Sequence, residues 1–347
     1  MHIESNYNFK NNKFLITGGA GFIGSNLADF LLSKGAEVII YDNLSRKMVE
    51  NNLKWLKANP SGKLKIIVDD VRNAKGLNKA IKNVGTVFHL AAQVAVTDSV
   101  NNPIEDFEIN ALGALNVLEA VRKYNPQATV AFSSTNKVYG AMESLKYGKT
   151  KQRYTFSEKK FKNGISESFP LDFHSPYGCS KGAADQYFHD YSRIYGLNTV
   201  VFRQSCIYGN RQFGNEDQGW VMHFLKKFLQ GKEINIYGDG KQVRDVLYID
   251  DLISAYMAAI GQIDKIKGSI FNIGGGSKNT ISLIELIEIF QKKFNNPARY
   301  SFSDWRPGDQ KIFYANIEKA YKDIAWEPKI NIIDGIDKLH EWVLQII

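Results

Sequence analysis

Residues 17–25 read TGGAGFIGS, which sets Gly18, Gly21 and Gly24 at a G-x-x-G-x-x-G spacing. Just before them, KFLIT (13–17) is an apolar run of strand length, and GFIGSNLADFLLSKG carries on as a helical pattern that Gly35 closes. A strand, a glycine turn and a helix in that order let the backbone turn tightly and approach a pyrophosphate. The helix start, with Phe22 and Ile23, then offers free N–H groups and the positive end of its dipole. This spacing is not the commonest dinucleotide fingerprint, and glycine triplets also occur in ordinary turns, so the surroundings carry the reading. They include EVIIYD (37–42), a second strand ending on Asp42 about twenty residues on, where a carboxylate can accept hydrogen bonds from ribose hydroxyls.

Working outward, apolar runs continue to alternate with helical patterns: LKIIV (64–68), TVFHLA (86–91), ATVAFSS (128–134) and NTVVFR (198–203). The segments between them are long enough for crossover helices, so the fold class is α/β, a doubly wound parallel sheet of the Rossmann type. After Arg203 the alternation weakens into turn-rich stretches such as YGNRQFGNEDQGW (208–220), YGDGKQ (237–242) and NIGGGSKN (272–279). These predict a smaller mixed α/β C-terminal substrate lobe. The expected boundaries are 1–204, with about 241–265 returning, for the nucleotide-binding domain, and 205–240 with 266–347 for the lobe.

With 347 residues, 44% of them hydrophobic, the chain can bury a substantial core. Its longest apolar runs fall short of a membrane span and its start lacks a secretory pattern, so a soluble cytoplasmic protein is expected. Cys179 and Cys206 are too few for a disulfide framework and have no partners at zinc spacing, so free thiols and no metal are expected. The net charge of +8 is concentrated in LKYGKTKQRYTFSEKKFKN (145–163). A solvated surface insertion is favoured over a nucleic-acid patch, because no recognition motif surrounds it.

Two further stretches carry chemistry. In YGCSK, Tyr177 and Lys181 lie one helical turn apart and share a face. In FSSTNKVYG (132–140), a strand end turns polar at Thr135, Asn136 and Lys137. Bringing a tyrosine from its ordinary pKa to neutral pH requires about 4 kcal/mol. A cation about 4 Å away supplies that much at an effective dielectric near 20. Lys181 and a positively charged nicotinamide are therefore expected to lower Tyr177 together, with the Thr135 hydroxyl orienting a substrate alcohol. Asp42 favours NAD over NADP by repelling a 2′-phosphate, whereas Arg46 in DNLSR could pair with one. Asp70 and Val71 in DDVR are placed to flank an adenine, although a plain loop carboxylate fits the pattern nearly as well.

Together, TGGAGFIGS, DNLSR, DDVR, HLAAQ, the Thr135/Tyr177/Lys181 set and RPGDQ (306–310) resemble the extended short-chain dehydrogenases/reductases, specifically their NAD-dependent nucleotide-sugar epimerases and dehydratases, from about Phe14 to about Trp326. The resemblance implies that Thr135, Tyr177 and Lys181 are catalytic and that Asn110 supports the lysine through water. It also implies that Asn43, Ser45, Leu90, Ala91, Ala92 and Gln93 belong to the cofactor cleft, with Gln93 reaching the substrate. Arg244 and Arg306 would grip a nucleotide diphosphate, a task suited to a planar, permanently charged fork. Arg211 and Gln218, from a stretch shared with one branch of the family, would also contact substrate.

In this family's 4,6-dehydratases an Asp-Glu pair follows the threonine and performs the proton transfers of elimination. Here those positions hold Asn136 and Lys137; Asn cannot titrate and Lys is cationic unless strongly perturbed. A reversible oxidation, as in an epimerase, is therefore the better reading. STNKVYG, the insertion with RYTF, RQSCIYG and YGNRQFGNEDQGW further resemble a branch acting at C2 of a CDP-sugar. Cys206 stands where many relatives carry an Asn that contacts the sugar diphosphate; a different sugar register and a simply packed thiol fit it equally. Tyr187, Phe188 and Tyr191 fit either the core or the dimer seam of a homodimer or homotetramer.

Overall fold

Strands whose apolar runs do not alternate belong where both faces are covered. The computed structural model of the protein describes residues 8–58, 62–306 and 309–347. Its strands are β1 (Lys13–Thr17), β2 (Glu37–Asp42), β3 (Lys63–Val68), β4 (Thr86–His89), β5 (Thr129–Thr135), β6 (Tyr147–Lys149), β7 (Tyr154–Phe156), β8 (Asn198–Gln204), β9 (Cys206–Tyr208), β10 (Ile234–Tyr237), β11 (Val243–Tyr248), β12 (Ser269–Ile273), β13 (Thr280–Ser282), β14 (Tyr300–Ser303) and β15 (Ile312–Phe313). Seven of them form one parallel sheet in the order β3-β2-β1-β4-β5-β8-β12. Central β4 is buried throughout, whereas edge strand β3 exposes Lys63 and Lys65, charges that discourage further pairing. The strand order reverses between β1 and β4. A crevice opens there beyond their carboxyl ends, the place where doubly wound sheets bind ligands.

Two boundaries differ from the sequence expectation. Residues 269–273, assigned to the lobe, are the outer strand β12 of the main sheet, in parallel register with β8 from Ser269↔Val200 to Ile273↔Gln204. Conversely β11, placed in the returning segment, pairs with β9, β13 and β15 in the lobe. Only the helix after it, Ile249–Ile260, returns: Tyr256 packs against Phe88 and Phe202, with ring centroids at 5.4 and 4.8 Å, beneath the main sheet. The chain crosses between the two bodies several times, so neither is a continuous stretch. The lobe is completed by β10 paired with β14 and by an aromatic seam joining three helices: Phe228 to Phe290 at 5.6 Å, and Phe294 to His340 at 4.6 Å.

The basic insertion is solvated at its lysines but fastened elsewhere. It forms the β6–β7 hairpin, and Arg153 makes a two-pronged ion pair with Glu285 (2.7 and 2.6 Å) and donates to Thr280 O at 3.0 Å. The Tyr154 hydroxyl donates to Asp239 at 2.9 Å, and Phe156 and Phe161 pack on a small apolar cluster around Val138, Tyr139 and Phe313. Phe188 and Tyr191 are buried in the core and Tyr187 is exposed, which settles the first two as core residues. Among the described residues, no helix is long and apolar enough to cross a membrane.

Candidate active site

Strand β5 delivers Thr135 to the carboxyl edge of the sheet, in register with Gln204 of β8. Its hydroxyl accepts from Lys137 N at 3.2 Å and so caps the helical turn Asn136–Tyr139. The helix Ser175–Tyr195 starts with Pro176 in its first turn and brings Tyr177 and Lys181 to the same place. Tyr177 hydrogen-bonds Thr135. Lys181 Nζ donates to Ser133 O at 2.6 Å and lies 4.3 Å from the centre of the Phe132 ring. Asn110 is buried behind them: it donates to Gln93 O and Asp106 at 3.0 Å and to Ser180 at 3.2 Å, while accepting from Gln93 N.

Burial governs the protonation of this set. It pushes Tyr177 up to about 12, with the Thr135 hydrogen bond acting the other way, and lowers Lys181 to about 7 against the pull of Asp185 and Asp106. Lys181 does not counter this effect on Tyr177: its ammonium is turned to Ser133 O and desolvation dominates both groups. Lys137 is likewise lowered to about 8, first by burial and then by Arg244, with Asp309 opposing.

These groups line a cavity of about 620 Å³ between the sheet and the lobe. Phe22, Ile23, Leu90 and Ala92 form its cofactor side; Thr135, Asn136, Lys137, Tyr177 and Lys181 lie at its centre; Cys206, Gln218, Arg244 and Arg306 lie on its lobe side. Asn136 donates to Gln310 at 3.4 Å, and Lys137 and Arg244 share Asp309 at 3.9 and 3.7 Å. Arg306 stacks on Tyr237 at 3.9 Å and faces Asp217 at 3.5 Å. Pro307 and Gly308 of RPGDQ lie outside the described residues. Cys206 borders the cavity and also packs against the main apolar core, its thiol pushed up by burial, so it fits both readings.

Three expected residues stand elsewhere. Arg211 does not line the cavity: it donates to Asn26 of the helix Phe22–Ser33 at 2.5 Å and stacks on Trp55 at 3.3 Å. Gln93 is held by its own loop, its side-chain amide donating to Ala95 O at 2.8 Å, and it does not line the cavity. Val71 is a core side chain packed beside Gly113, so it presents no side chain to an adenine.

The dinucleotide cradle can be tested on its own geometry. Gly18 has φ +69°, and a Cβ there would come within 2.6 Å of Ala91 N; a Cβ on Gly24 would lie 2.6 Å from Gly19 Cα. Gly21 caps the following helix with no side-chain hydrogen bond, so that helix start keeps N–H groups for an anion. Asp42 accepts from Ala20 N at 3.0 Å and Leu44 N at 2.9 Å, which ties the end of β2 to the glycine turn and leaves lone pairs for ribose hydroxyls. Asn43 donates to Asp70 at 2.8 Å and accepts from Ser45 N at 3.1 Å, while Arg72 pairs with Asp70 and draws its carboxyl down to about 2. Arg46 follows on the exposed loop. These residues fit a dinucleotide with a free ribose diol. Gly24→Ala is expected to leave the protein folded but free of dinucleotide, as read by nucleotide analysis of the denatured protein.

Sequence reading missed Asp309 beside Lys137 and Glu216, Asn235 and Tyr237 on the lobe wall of the cavity, and the buried Asp106–Ser180 pair behind Lys181. Asp309 had a signal in RPGDQ. Ser180 lies within YGCSK and Glu216 within YGNRQFGNEDQGW, but nothing in either stretch singled them out, and Asp106 and Asn235 lie outside the quoted motifs.

This sheet order, glycine cradle and threonine–tyrosine–lysine set define an extended short-chain dehydrogenase/reductase. The chain belongs to the family described as GDP-mannose 4,6 dehydratase, whose profile matches residues 15–339. It is 49% identical to CDP-paratose 2-epimerase of Salmonella typhi over 96% of this chain and all of that protein. Among solved structures, it resembles UDP-glucuronic acid 4-epimerase from Bacillus cereus in complex with UDP-glucuronic acid and NAD (TM-score 0.82, 29% identity, 96% of this chain and 100% of that one). It equally resembles DesIV, a dTDP-glucose 4,6-dehydratase from Streptomyces venezuelae with NAD bound (TM-score 0.82, 26% identity, 96% and 97%).

Proposed function

We propose that the chain is an NAD-dependent nucleotide-sugar epimerase that inverts C2 of CDP-paratose to give CDP-tyvelose. The observation that carries this is the cavity centre, where Asn136 and Lys137, not an acid and a base, follow Thr135 beside Tyr177 and Lys181. The 49% identity to a CDP-paratose 2-epimerase over nearly the full length supports the base and sugar. NAD, held by the Gly18/Gly21/Gly24 cradle and Asp42, would supply reversible hydride exchange with C2, so the reaction is redox-neutral overall. Tyr177 takes the proton from the sugar hydroxyl and later gives it back, and Thr135 aligns that hydroxyl. Asn136 and Lys137 hydrogen-bond the oxygen that gains charge as C2 is oxidised, an interaction strongest in the transition state. Arg244 and Arg306 hold the diphosphate, exchanging Asp309 and Asp217 for it.

Proton NMR of the purified protein with CDP-paratose tests the assignment: inversion at C2 is expected, and inversion only at C4 of a UDP-sugar would replace it with the family's other epimerase activity. Changing Asn136→Asp together with Lys137→Glu is expected to lower the epimerisation rate by about 10²-fold. An unaltered rate would make the pair scaffold.

We further place the protein in the cytoplasm as a homo-oligomer supplying deoxysugar for lipopolysaccharide O-antigen. Assembly is supported by apolar side chains left exposed on neighbouring helices, Ile104 (75%) and Phe107 (56%) with Tyr187, Ile194 and Tyr195.

A further inference from the structure

On the lobe wall of the cavity, Glu216 is part of one assembled unit. Its Oε1 accepts from the Tyr237 hydroxyl at 2.9 Å and from Asn235 Nδ2 at 3.2 Å. Arg306 donates to the Glu216 backbone oxygen at 3.1 Å and stacks on the same Tyr237 ring. The two side-chain donors hold the carboxyl below the usual range, so it is an anion at neutral pH, and the residue is exposed, which leaves Oε2 open to a ligand in the cavity. The neighbouring wall is also rich in acceptors. Gln212 and Gln242 each donate one amide hydrogen, to Ile207 O (3.1 Å) and Tyr237 O (2.6 Å), and the Oε1 atoms of Gln212, Gln218 and Gln242 are buried without a protein partner among the described residues. A wall of this kind suits a ligand that brings N–H donors.

We infer that Glu216 reads the nucleobase, accepting a hydrogen bond from the exocyclic amine of cytosine and rejecting uracil and thymine, which present an oxygen at that position. The inference rests on the CDP-sugar reading above. With the sugar at Thr135 and Tyr177 and the diphosphate between Arg244 and Arg306, the nucleoside extends past Arg306 to Glu216 and Tyr237. A carboxylate is the natural acceptor for the cytosine amine, and facing a carbonyl oxygen it would leave both groups without a donor.

The test is calorimetric titration of the NAD-loaded protein with CDP and with UDP, for the wild type, Glu216→Gln and Tyr237→Phe. The wild type is expected to prefer CDP by at least about tenfold. Glu216→Gln should weaken CDP by about tenfold and abolish the preference, because its amide can donate to the uracil oxygen. Tyr237→Phe, which frees the carboxylate without removing its charge, should lose part of the preference. A Glu216→Gln protein that keeps the wild-type CDP/UDP ratio, or loses both nucleotides equally, overturns the role of Glu216 while leaving the CDP reading intact. A wild type that prefers UDP overturns the CDP reading itself.

Discussion

Replacing Tyr177 by Phe is expected to lower turnover by about 10³-fold while the protein still purifies with its NAD. The substitution removes one buried hydroxyl and keeps the ring, so the cavity wall and the helix Ser175–Tyr195 persist. What disappears is the hydroxyl beside Thr135, the base proposed for the sugar alcohol. Burial pushes that hydroxyl up to about 12, and bringing it to neutral pH is worth about 7 kcal/mol. That cost is what the charge of Lys181, together with that of an oxidised nicotinamide, would have to offset. Turnover is followed by NMR of the sugar and cofactor content by nucleotide analysis; near-normal turnover with full cofactor would remove Tyr177 from the chemistry.

Asp185→Ala should have the largest effect on stability, a loss of about 3–5 kcal/mol seen in denaturant unfolding. Asp185 and Arg203 are 0% and 3% exposed and joined by two hydrogen bonds, of 3.0 and 2.8 Å. Ser134 donates to the same carboxylate at 2.7 Å, and Arg203 continues through Tyr139 (3.1 Å) to Asn272 (2.7 Å). Removing the carboxylate leaves a permanently charged guanidinium in the core with one neutral partner, whereas removing both charges does not. Asp185→Leu combined with Arg203→Met should therefore recover most of the loss. A decrease below about 1 kcal/mol for Asp185→Ala would show that water enters to solvate Arg203. The network also has a functional side, since it ties the strand carrying Thr135 to the helix carrying Tyr177 and Lys181, fixing their spacing before any ligand arrives.

Much of the main domain was legible because its signals are local. β1, β2 and β8 fall within a residue of the apolar runs that predicted them, since a strand buried on both faces must be apolar along its length. The glycine turn was legible for the same reason, its requirement being set by a Cβ clash a few residues away. Strand β12 was not: SIFNI is short, lies between turns and pairs with a strand about 70 residues earlier. The fastening of the insertion was equally hidden, because Arg153 and Glu285 are 132 residues apart.

The sequence by itself determined the sheet class, the nucleotide cradle and the chemical identities at the centre of the cavity: Thr135 at a strand end, Asn136 and Lys137 after it, and Tyr177 and Lys181 on one helical face. Only the tertiary structure decided which polar side chains face them. It turned Arg211 onto Trp55, set Asp309 between Lys137 and Arg244, and raised Glu216 on Tyr237 and Asn235. The physical reason is range. Backbone periodicity and steric fit are fixed by neighbours within a few residues, whereas the charge and donor balance of the cavity comes from loops that meet only after the sheet and lobe have packed together.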